Sequence, residues 1–343
     1  MSETIKTVLL FLTLNSSLFM IQAQQKPSLL LTNHTFTENR VEVGGIVLND
    51  KPVKDATLTG ENAKAFEIKK SRLFFTSTNN TEGEYNITIS VKSMGSIVSD
   101  TFRIVNDRFI RNKVIAHRGA WKNTGATENS ITALKRALQL RCGGTEFDVH
   151  MSADSVLVIN HDSHIQSILI EKTDAKDLLN LKLANGENLP TLESFLREGI
   201  SQHTSKLILE IKPSAISNER GIATARQVVK LVKTFRAQAW IDYISFDYDI
   251  CKEVLRIDPY ARVAYLNGDK DPQDLKEDNM WGFDYHFKVL KKNKKWISKA
   301  KNLGLTTNAW TVNDNETMEW LLKEDIDFIT TNEPELLLEI LKK

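Results

Sequence analysis

The chain has 343 residues, of which 41% are apolar and 26% charged, a composition typical of a folded protein of about two domains. Its 45 Lys and Arg residues nearly balance 44 Asp and Glu residues, so no overall field attracts nucleic acid or an anionic membrane. The two cysteines, Cys142 and Cys251, exclude a disulfide scaffold and a multi-cysteine zinc module. Their apolar surroundings predict two buried free thiols rather than a single disulfide.

An apolar run, TVLLFLTLNSSLFMIQAQQ, follows Glu3 and Lys6 near the N-terminus. Its length suits a signal peptide better than a membrane span. An uncleaved anchor and a buried helix are the alternatives, and the polar residues 15–17 weaken the anchor. We therefore predict a signal peptide over residues 1–23 with cleavage near Ala23. The mature protein is expected to be exported (periplasmic, cell-surface or secreted) and to have no stable membrane span.

Residues 27–107 alternate apolar and polar side chains in short runs separated by turn formers: RVEVGGIVL, AFEIKK, RLFFTS, EYNITISVKS and DTFRIVN. This period of two predicts an N-terminal all-β sandwich domain with antiparallel strands. The strand spacing resembles that of cadherin-like and immunoglobulin-like repeats, although the acidic calcium signatures of cadherins are absent. We expect a spacer or surface-docking module whose partner is unknown.

From residue 113 to residue 343, strands and amphipathic helices alternate. The predicted strands are VIAHRG, GTEFDVHM, KLILEIK, YISFD, RVAYLN, FDYHF, LTTNAWTV and DFITTN. Eight such units predict an α/β fold of the (β/α)8 TIM-barrel type. A doubly wound open sheet is the alternative, and the lack of a GxGxxG motif after the first strand disfavours it.

Charged residues interrupt two predicted barrel strands where they should be buried. Glu146 and Asp148 are two positions apart and so share one face, and Glu210 and Lys212 repeat this spacing on the next strand. A salt bridge at the rim would explain Glu210 and Lys212 alone, and capping of a neighbouring helix would explain Glu146 and Asp148 alone, but barrel active sites lie at the carboxyl ends of adjacent strands. Carboxylates without thiolates predict an oxygen-ligand site for a divalent cation, Ca2+ or Mg2+.

Imidazoles occur at two predicted strand ends. His117 and Arg118 end the first strand in VIAHRGA, and His161 and Asp162 follow the apolar run VLVIN. An acid, a base and an arginine beside a cation are the groups needed to split a phosphodiester.

The motifs HRGAWKNTGATENSITALKRAL, GGTEFDVHMSADSVLVINHD, LPTLESFL, ILEIKP, YISFD, VAYLN, NAWTVN and FITTNEP occur in this order. Together they resemble the motifs of glycerophosphodiester phosphodiesterases. The resemblance implies a catalytic acid/base pair (His117, His161), phosphate contacts (Arg118, Lys212), divalent-metal ligands (Glu146, Asp148, Glu210) and a substrate-pocket wall (Trp310).

The resemblance also implies a reaction, the hydrolysis of a small-molecule glycerophosphodiester to an alcohol and glycerol 3-phosphate. Alternatives are a lysophospholipase D-like activity on the same barrel and a non-catalytic phosphate- or carbohydrate-binding surface protein. Asn332 stands where the family usually has Asp, so the rim has one negative charge less. We expect this difference to alter the tuning of the site or the anchoring of a loop, and not to abolish activity. Among the other histidines, His34 and His203 are expected at the surface, and His286 is expected to have a structural role at the rim.

Overall fold

In a computed structural model of the protein, the structure describes residues 28–78 and 83–342. The predicted signal peptide and its cleavage near Ala23 lie outside these residues. Within the described residues, no helix combines the length and apolarity that a membrane crossing requires.

The N-terminal residues form two sheets, which we call the strand-rich part (residues 28–78 and 83–106). Its strands are β1 (Leu29–Leu31), β2 (Thr35–Phe36), β3 (Glu42–Leu48), β4 (Lys51–Pro52), β5 (Ala56–Thr59), β6 (Phe66–Lys69), β7 (Arg72–Phe75), β8 (Glu84–Ser93) and β9 (Ser96–Asn106). One sheet has the order β1-β3-β7-β6 with β4 beside β3, and the other has the order β2-β9-β8-β5.

A single apolar cluster joins the two sheets. In β8, buried residues alternate with partly exposed ones, so Tyr85, Ile87, Ile89 and Val91 all face this cluster. The predicted all-β region is therefore confirmed, although its strands are not all antiparallel. β2 pairs parallel to the end of β9, which is the strand that leads into the barrel.

The rest of the chain alternates strands and helices. These are β10 (Val114–Ala116), α1 (Ile131–Gln139), β11 (Gly144–Met151), β12 (Leu157–Ile159), β13 (His164–Ile165), β14 (Ile168–Leu169), α2 (Ala175–Leu178), α3 (Leu192–Gly199), β15 (Lys206–Ile211), α4 (Asn218–Phe235), β16 (Ile241–Ser245), α5 (Tyr248–Ile257), β17 (Val263–Tyr265), α6 (Pro272–Glu277), β18 (Gly282–His286), α7 (Phe287–Lys292), α8 (Trp296–Asn302), β19 (Thr306–Trp310), α9 (Asn315–Lys323), β20 (Phe328–Thr331) and α10 (Pro334–Ile340).

Eight parallel strands close into a barrel in the order β10-β11-β15-β16-β17-β18-β19-β20. Closure is shown by β10, which pairs with β11 on one side and with β20 on the other. The TIM-barrel prediction is confirmed, and the open-sheet alternative is wrong. Inside the barrel, Ile115, Ile208, Ile244 and Ala264 form an apolar layer. On the same inward strand faces, charged residues lie beyond this layer, toward the carboxyl ends of the strands.

The strand-rich part packs against the end of the barrel where its strands begin. Trp240 is fully buried there. Its ring packs edge-to-face against Phe109, and the guanidinium carbon of Arg103 lies over it, 5.7 Å from the ring centre. His203 packs on Trp240 with its Nε2 3.3 Å from Glu84 Oε2, and His34 lines a cavity between the two parts. The prediction that both histidines lie at the surface is wrong, because strand and helix periodicity do not reveal contacts between separate parts.

The two cysteines lie in the barrel and are free and buried, which confirms their prediction. Burial raises the pKa of the Cys142 thiol to about 12, so this thiol stays protonated at neutral pH.

The turn after β10 depends on Gly119, which has a φ of +80°. A Cβ here would lie 2.6 Å from the carbonyl carbon of Ala133 in α1, whereas Gly125, at φ +73°, has open space around it. Both Gly→Ala changes strain the backbone, but only Gly119→Ala adds a clash. We predict that Gly119→Ala lowers the free energy of unfolding by about 1–3 kcal/mol more than Gly125→Ala, measured by urea denaturation. Equal losses would contradict the close packing of this turn.

Candidate active site

Three carboxylates from adjacent barrel strands converge at the carboxyl end of the barrel. Glu146 and Asp148 project from one face of β11, and Glu210 of β15 lies in register with Asp148. Their exposed fractions are 2%, 1% and 6%, and one oxygen of each lies within 4.8 Å of the other two. This is the arrangement that the strand periodicity predicts.

The chemistry of this cluster fits a divalent cation. Burial and the charges of Asp148 and Glu210 raise the pKa of Glu146 well above its usual range. Its Oε1 is buried and has no hydrogen-bond partner among the described residues. Like charges in a water-poor site are stabilised by a cation, and three carboxylate oxygens suit Ca2+ or Mg2+.

Two basic side chains partly balance the carboxylates. Lys212 Nζ lies 2.8 Å from Glu210 Oε1 and 3.2 Å from Asp148 Oδ1. Burial alone would lower the pKa of Lys212, but these two carboxylates outweigh it and raise the value to about 12. Arg118 Nε lies 3.7 Å from Asp148 Oδ2 on the other side. With a divalent cation bound, the cluster would carry one net positive charge, which suits a phosphodiester monoanion.

The turn after β10 holds the carboxylates in place. Arg118 has a left-handed φ of +56°, and its backbone N–H donates to Glu146 Oε2 at 2.9 Å. Asn129 donates from Nδ2 to Asp148 Oδ2 at 2.8 Å and accepts from the Asp148 backbone N–H at 3.2 Å. Sequence reasoning assigned no role to Asn129. Its position in the segment TEN (residues 127–129), inside the first quoted motif, is the feature of the sequence that could have indicated a role.

His117 lies beside the carboxylates with its ring fixed by Asn332. Its Nδ1 is 2.7 Å from Asn332 Oδ1, which can only accept, so the ring carries its proton on Nδ1 and turns Nε2 toward Glu146, 3.9 Å away. Burial and the charge of Arg118 lower the pKa of His117 to about 4. The imidazole is therefore neutral at pH 7. Asn332 is thus a direct partner of a predicted catalytic group.

His161 lies in the loop after β12 and is 34% exposed. Its Nδ1 is 2.8 Å from Asp162 Oδ1, and its backbone carbonyl lies 3.2 Å from Nε2 of buried His150. The structure therefore places His117 3.9 Å from Glu146, and His161 on a loop that buried His150 supports.

Aromatic side chains lie at or just after the carboxyl ends of β16, β18 and β19. Trp310 donates from Nε1 to the Asp284 carbonyl at 2.9 Å and packs edge-to-face against Phe246, with ring centres 5.3 Å apart. His286 contacts the other side of Trp310 at 5.0 Å. We call Phe246, Trp310 and His286 the aromatic wall. Trp310 is therefore part of this aromatic wall, and its role as a wall of the substrate pocket stays a prediction.

A closed barrel that gathers carboxylates, imidazoles and cations at the carboxyl ends of its strands is typical of a TIM-barrel hydrolase for a charged substrate. Comparison with known proteins identifies the family. The model of the glycerophosphoryl diester phosphodiesterase family matches residues 117–336, more than half of the chain. The chain belongs to this family, and it is an enzyme of the phosphodiesterase class.

Relatives agree with this assignment. A glycerophosphodiester phosphodiesterase of Caldanaerobacter subterraneus subsp. tengcongensis is 29% identical over 251 residues, which cover 68% of this chain and 99% of the relative. A crystal structure of a glycerophosphodiester phosphodiesterase from Parabacteroides distasonis has 45% identity and a TM-score of 0.65, over 67% of this chain and 96% of that one. The fold of an Oleispira antarctica phosphodiesterase is also similar, with 24% identity and a TM-score of 0.58, over 67% of this chain and 97% of that one.

The raised pKa values of Glu146 and Glu210 predict a pH-dependent effect of metal on stability. Burial and Asp148 raise the pKa of Glu210 to about 8, so between about pH 4.5 and pH 8 the folded metal-free protein holds protons that the unfolded chain releases. Its stability therefore falls as the pH rises through this window. We predict that saturating Ca2+ or Mg2+ raises the Tm more at pH 8 than at pH 5. A gain in Tm that does not change with pH would contradict the metal assignment.

The contact between His117 and Asn332 predicts how this pair sets the pH profile. A carboxylate in place of the amide favours the imidazolium form, so Asn332→Asp should raise the pKa of His117. If His117 acts as a base, the acid limb of the kcat/KM profile should move to higher pH. Asn313→Asp serves as a control, because Asn313 contacts the Asn332 backbone rather than His117. An unchanged acid limb in Asn332→Asp would contradict a base role for His117.

Proposed function

We propose that the protein is an exported, metal-dependent phosphodiesterase that hydrolyses glycerophosphodiesters to an alcohol and glycerol 3-phosphate. The observation that carries the proposal is the buried cluster of Glu146, Asp148 and Glu210, with imidazoles and basic side chains beside it. The names of the relatives support this substrate class. The Oleispira antarctica structure, which holds the product sn-glycerol-3-phosphate, supports this product.

The three carboxylates would hold Ca2+ or Mg2+, which when bound supplies Lewis-acid stabilisation at a non-bridging phosphate oxygen. Arg118 and Lys212 flank the cluster from two sides and would bind the remaining phosphate charge. A guanidinium offers a planar pair of donors and a lysine a compact point charge, so together they orient the phosphate and favour its transition state.

The two imidazoles divide the proton transfers. Neutral His117 has its Nδ1 proton held by Asn332, so its Nε2 lone pair is free to accept a proton from the nucleophile, either water or the glycerol 2-hydroxyl. His161 has its Nδ1 2.8 Å from Asp162 Oδ1, a contact that orients the ring and leaves Nε2 for the substrate. His161 would therefore give a proton from Nε2 to the leaving alkoxide.

The proposal also covers the rest of the chain. Residues 1–23 would be removed as a signal peptide, and residues 27–107 would form a separate cadherin-like or immunoglobulin-like domain. The separate domain over residues 27–107 is supported by its apolar cluster, which is distinct from that of the barrel. The mature protein would act outside the cytoplasm on small water-soluble diesters, with residues 113–343 as its catalytic domain.

The role of His161 predicts a large loss of activity on its removal. His161→Ala should lower kcat by about 10^2- to 10^4-fold, the range of general acid/base catalysis, with little change in Tm. His164→Ala is a matched control, because His164 lies three residues along the same loop and is bonded to Ser163. If His161→Ala kept more than half of the wild-type activity, His161 would not be the acid.

Metal dependence is tested with glycerophosphocholine and glycerophosphoethanolamine as substrates, each with added Ca2+, with added Mg2+ and with chelator. We predict that the chelator abolishes hydrolysis and that one of the two cations restores it. Activity that the chelator leaves unaffected would remove the metal from the mechanism.

A further inference from the structure

The aromatic wall runs from Phe246, which follows the strand next to β15, to His286 on the far side of the barrel. In the eight-strand ring, β18 is four strands away from β11 in either direction, so His286 lies opposite Glu146 and Asp148. Lys212 Nζ lies 5.9 Å from the ring centre of Phe246, where the wall begins. A substrate whose phosphate contacted Lys212 would place one of its two organic parts next to Phe246, and Trp310 and His286 continue from there.

The hydrogen bonding of His286 fixes what it can offer to a ligand. Its Nδ1 accepts the backbone N–H of Lys288 at 3.2 Å, so the proton of the neutral ring is on Nε2. Burial and the charge of Lys288 lower the pKa of His286, which keeps the ring neutral at pH 7. The wall thus ends in an uncharged N–H donor that points away from α7.

The charges around the wall disfavour a cationic ligand. The carboxylates in the loops after β16, β17 and β19 are bonded to partners other than His286: Asp247 caps α5, Asp269 bonds Tyr265, Asp271 pairs with Lys299 and Asp314 caps α9. Asp284 is buried one inward position below His286, and burial, followed by the charge of Glu210, raises its pKa. The charge next to His286 is that of exposed Lys288.

We propose that the aromatic wall binds the alcohol part of the substrate and that His286 Nε2 selects neutral polyol headgroups, such as glycerol or inositol, over choline and ethanolamine. A polyol can place its C–H face on Trp310 and accept the His286 proton through a hydroxyl oxygen. A quaternary ammonium accepts no hydrogen bond, and the positive charge of Lys288 repels it. This assignment rests on the proposed function and specifies its substrate class.

The experiment compares kcat/KM for glycerophosphoglycerol, glycerophosphoinositol, glycerophosphocholine and glycerophosphoethanolamine. The wild-type enzyme should favour the two polyol substrates about 10-fold, the effect of roughly one good hydrogen bond. Lys288→Met should reduce this preference by improving the KM for the cationic substrates. A wild-type preference for choline would overturn the assignment, because the wall would then act as a cation–π site.

Two variants separate ligand binding by His286 from its capping of α7. His286→Asn keeps an acceptor near the position of Nδ1 but has no donor near Nε2, whereas His286→Gln places an amide N–H near Nε2. We expect His286→Asn to raise the KM for polyol substrates about 3- to 10-fold with kcat nearly constant, and to affect cationic substrates less. His286→Gln should restore the polyol KM.

Other outcomes overturn the assignment. An equal loss for all four substrates would place His286 against the glycerol part that they share. Losses that follow Tm rather than headgroup would make His286 a helix cap only. Hydrolysis without polyol preference would overturn this assignment alone, whereas no hydrolysis of any of the four would overturn the proposed function together with it.

Discussion

The structure of the site depends on one constraint: three carboxylates are buried together where water cannot screen them. Such a cluster is unfavourable unless cations and hydrogen-bond donors surround it. The chain supplies these groups from two places. Lys212 lies on the same strand face as Glu210, and Arg118 and Asn129 come from the turn after β10. A divalent cation would complete the compensation, and the same positive surroundings would then attract a phosphodiester.

This constraint also explains the shape of the turn that follows β10. Arg118 must adopt a left-handed conformation for its backbone N–H to reach Glu146, and Gly119 must lack a side chain for the turn to pass close to α1. The strand-rich part packs at the other end of the barrel, around Trp240. It therefore packs on the barrel without covering the mouth.

Strand periodicity was enough to predict the eight barrel strands and the convergence of the carboxylates, because residues two apart share a face and parallel strands end at one edge. Periodicity cannot show contacts between distant segments. The bond between His117 and Asn332 joins residues 215 positions apart, and the packing of His203 on Trp240 joins a loop to the start of a barrel strand. The short strands β1, β2 and β5 were missed for a related reason, since two to four residues contain too little alternation to be recognised.

The most direct test of the account is metal binding by the chain in the absence of substrate, measured by calorimetric titration of Ca2+ and of Mg2+ at pH 7.5. The account predicts one ion per wild-type chain, and none for Glu146→Gln or Glu210→Gln. Glu128→Gln should bind as wild type does, because Glu128 contacts Arg118 outside the cluster. A wild-type chain that binds neither ion, or a Glu146→Gln chain that binds as tightly as wild type, would contradict the account.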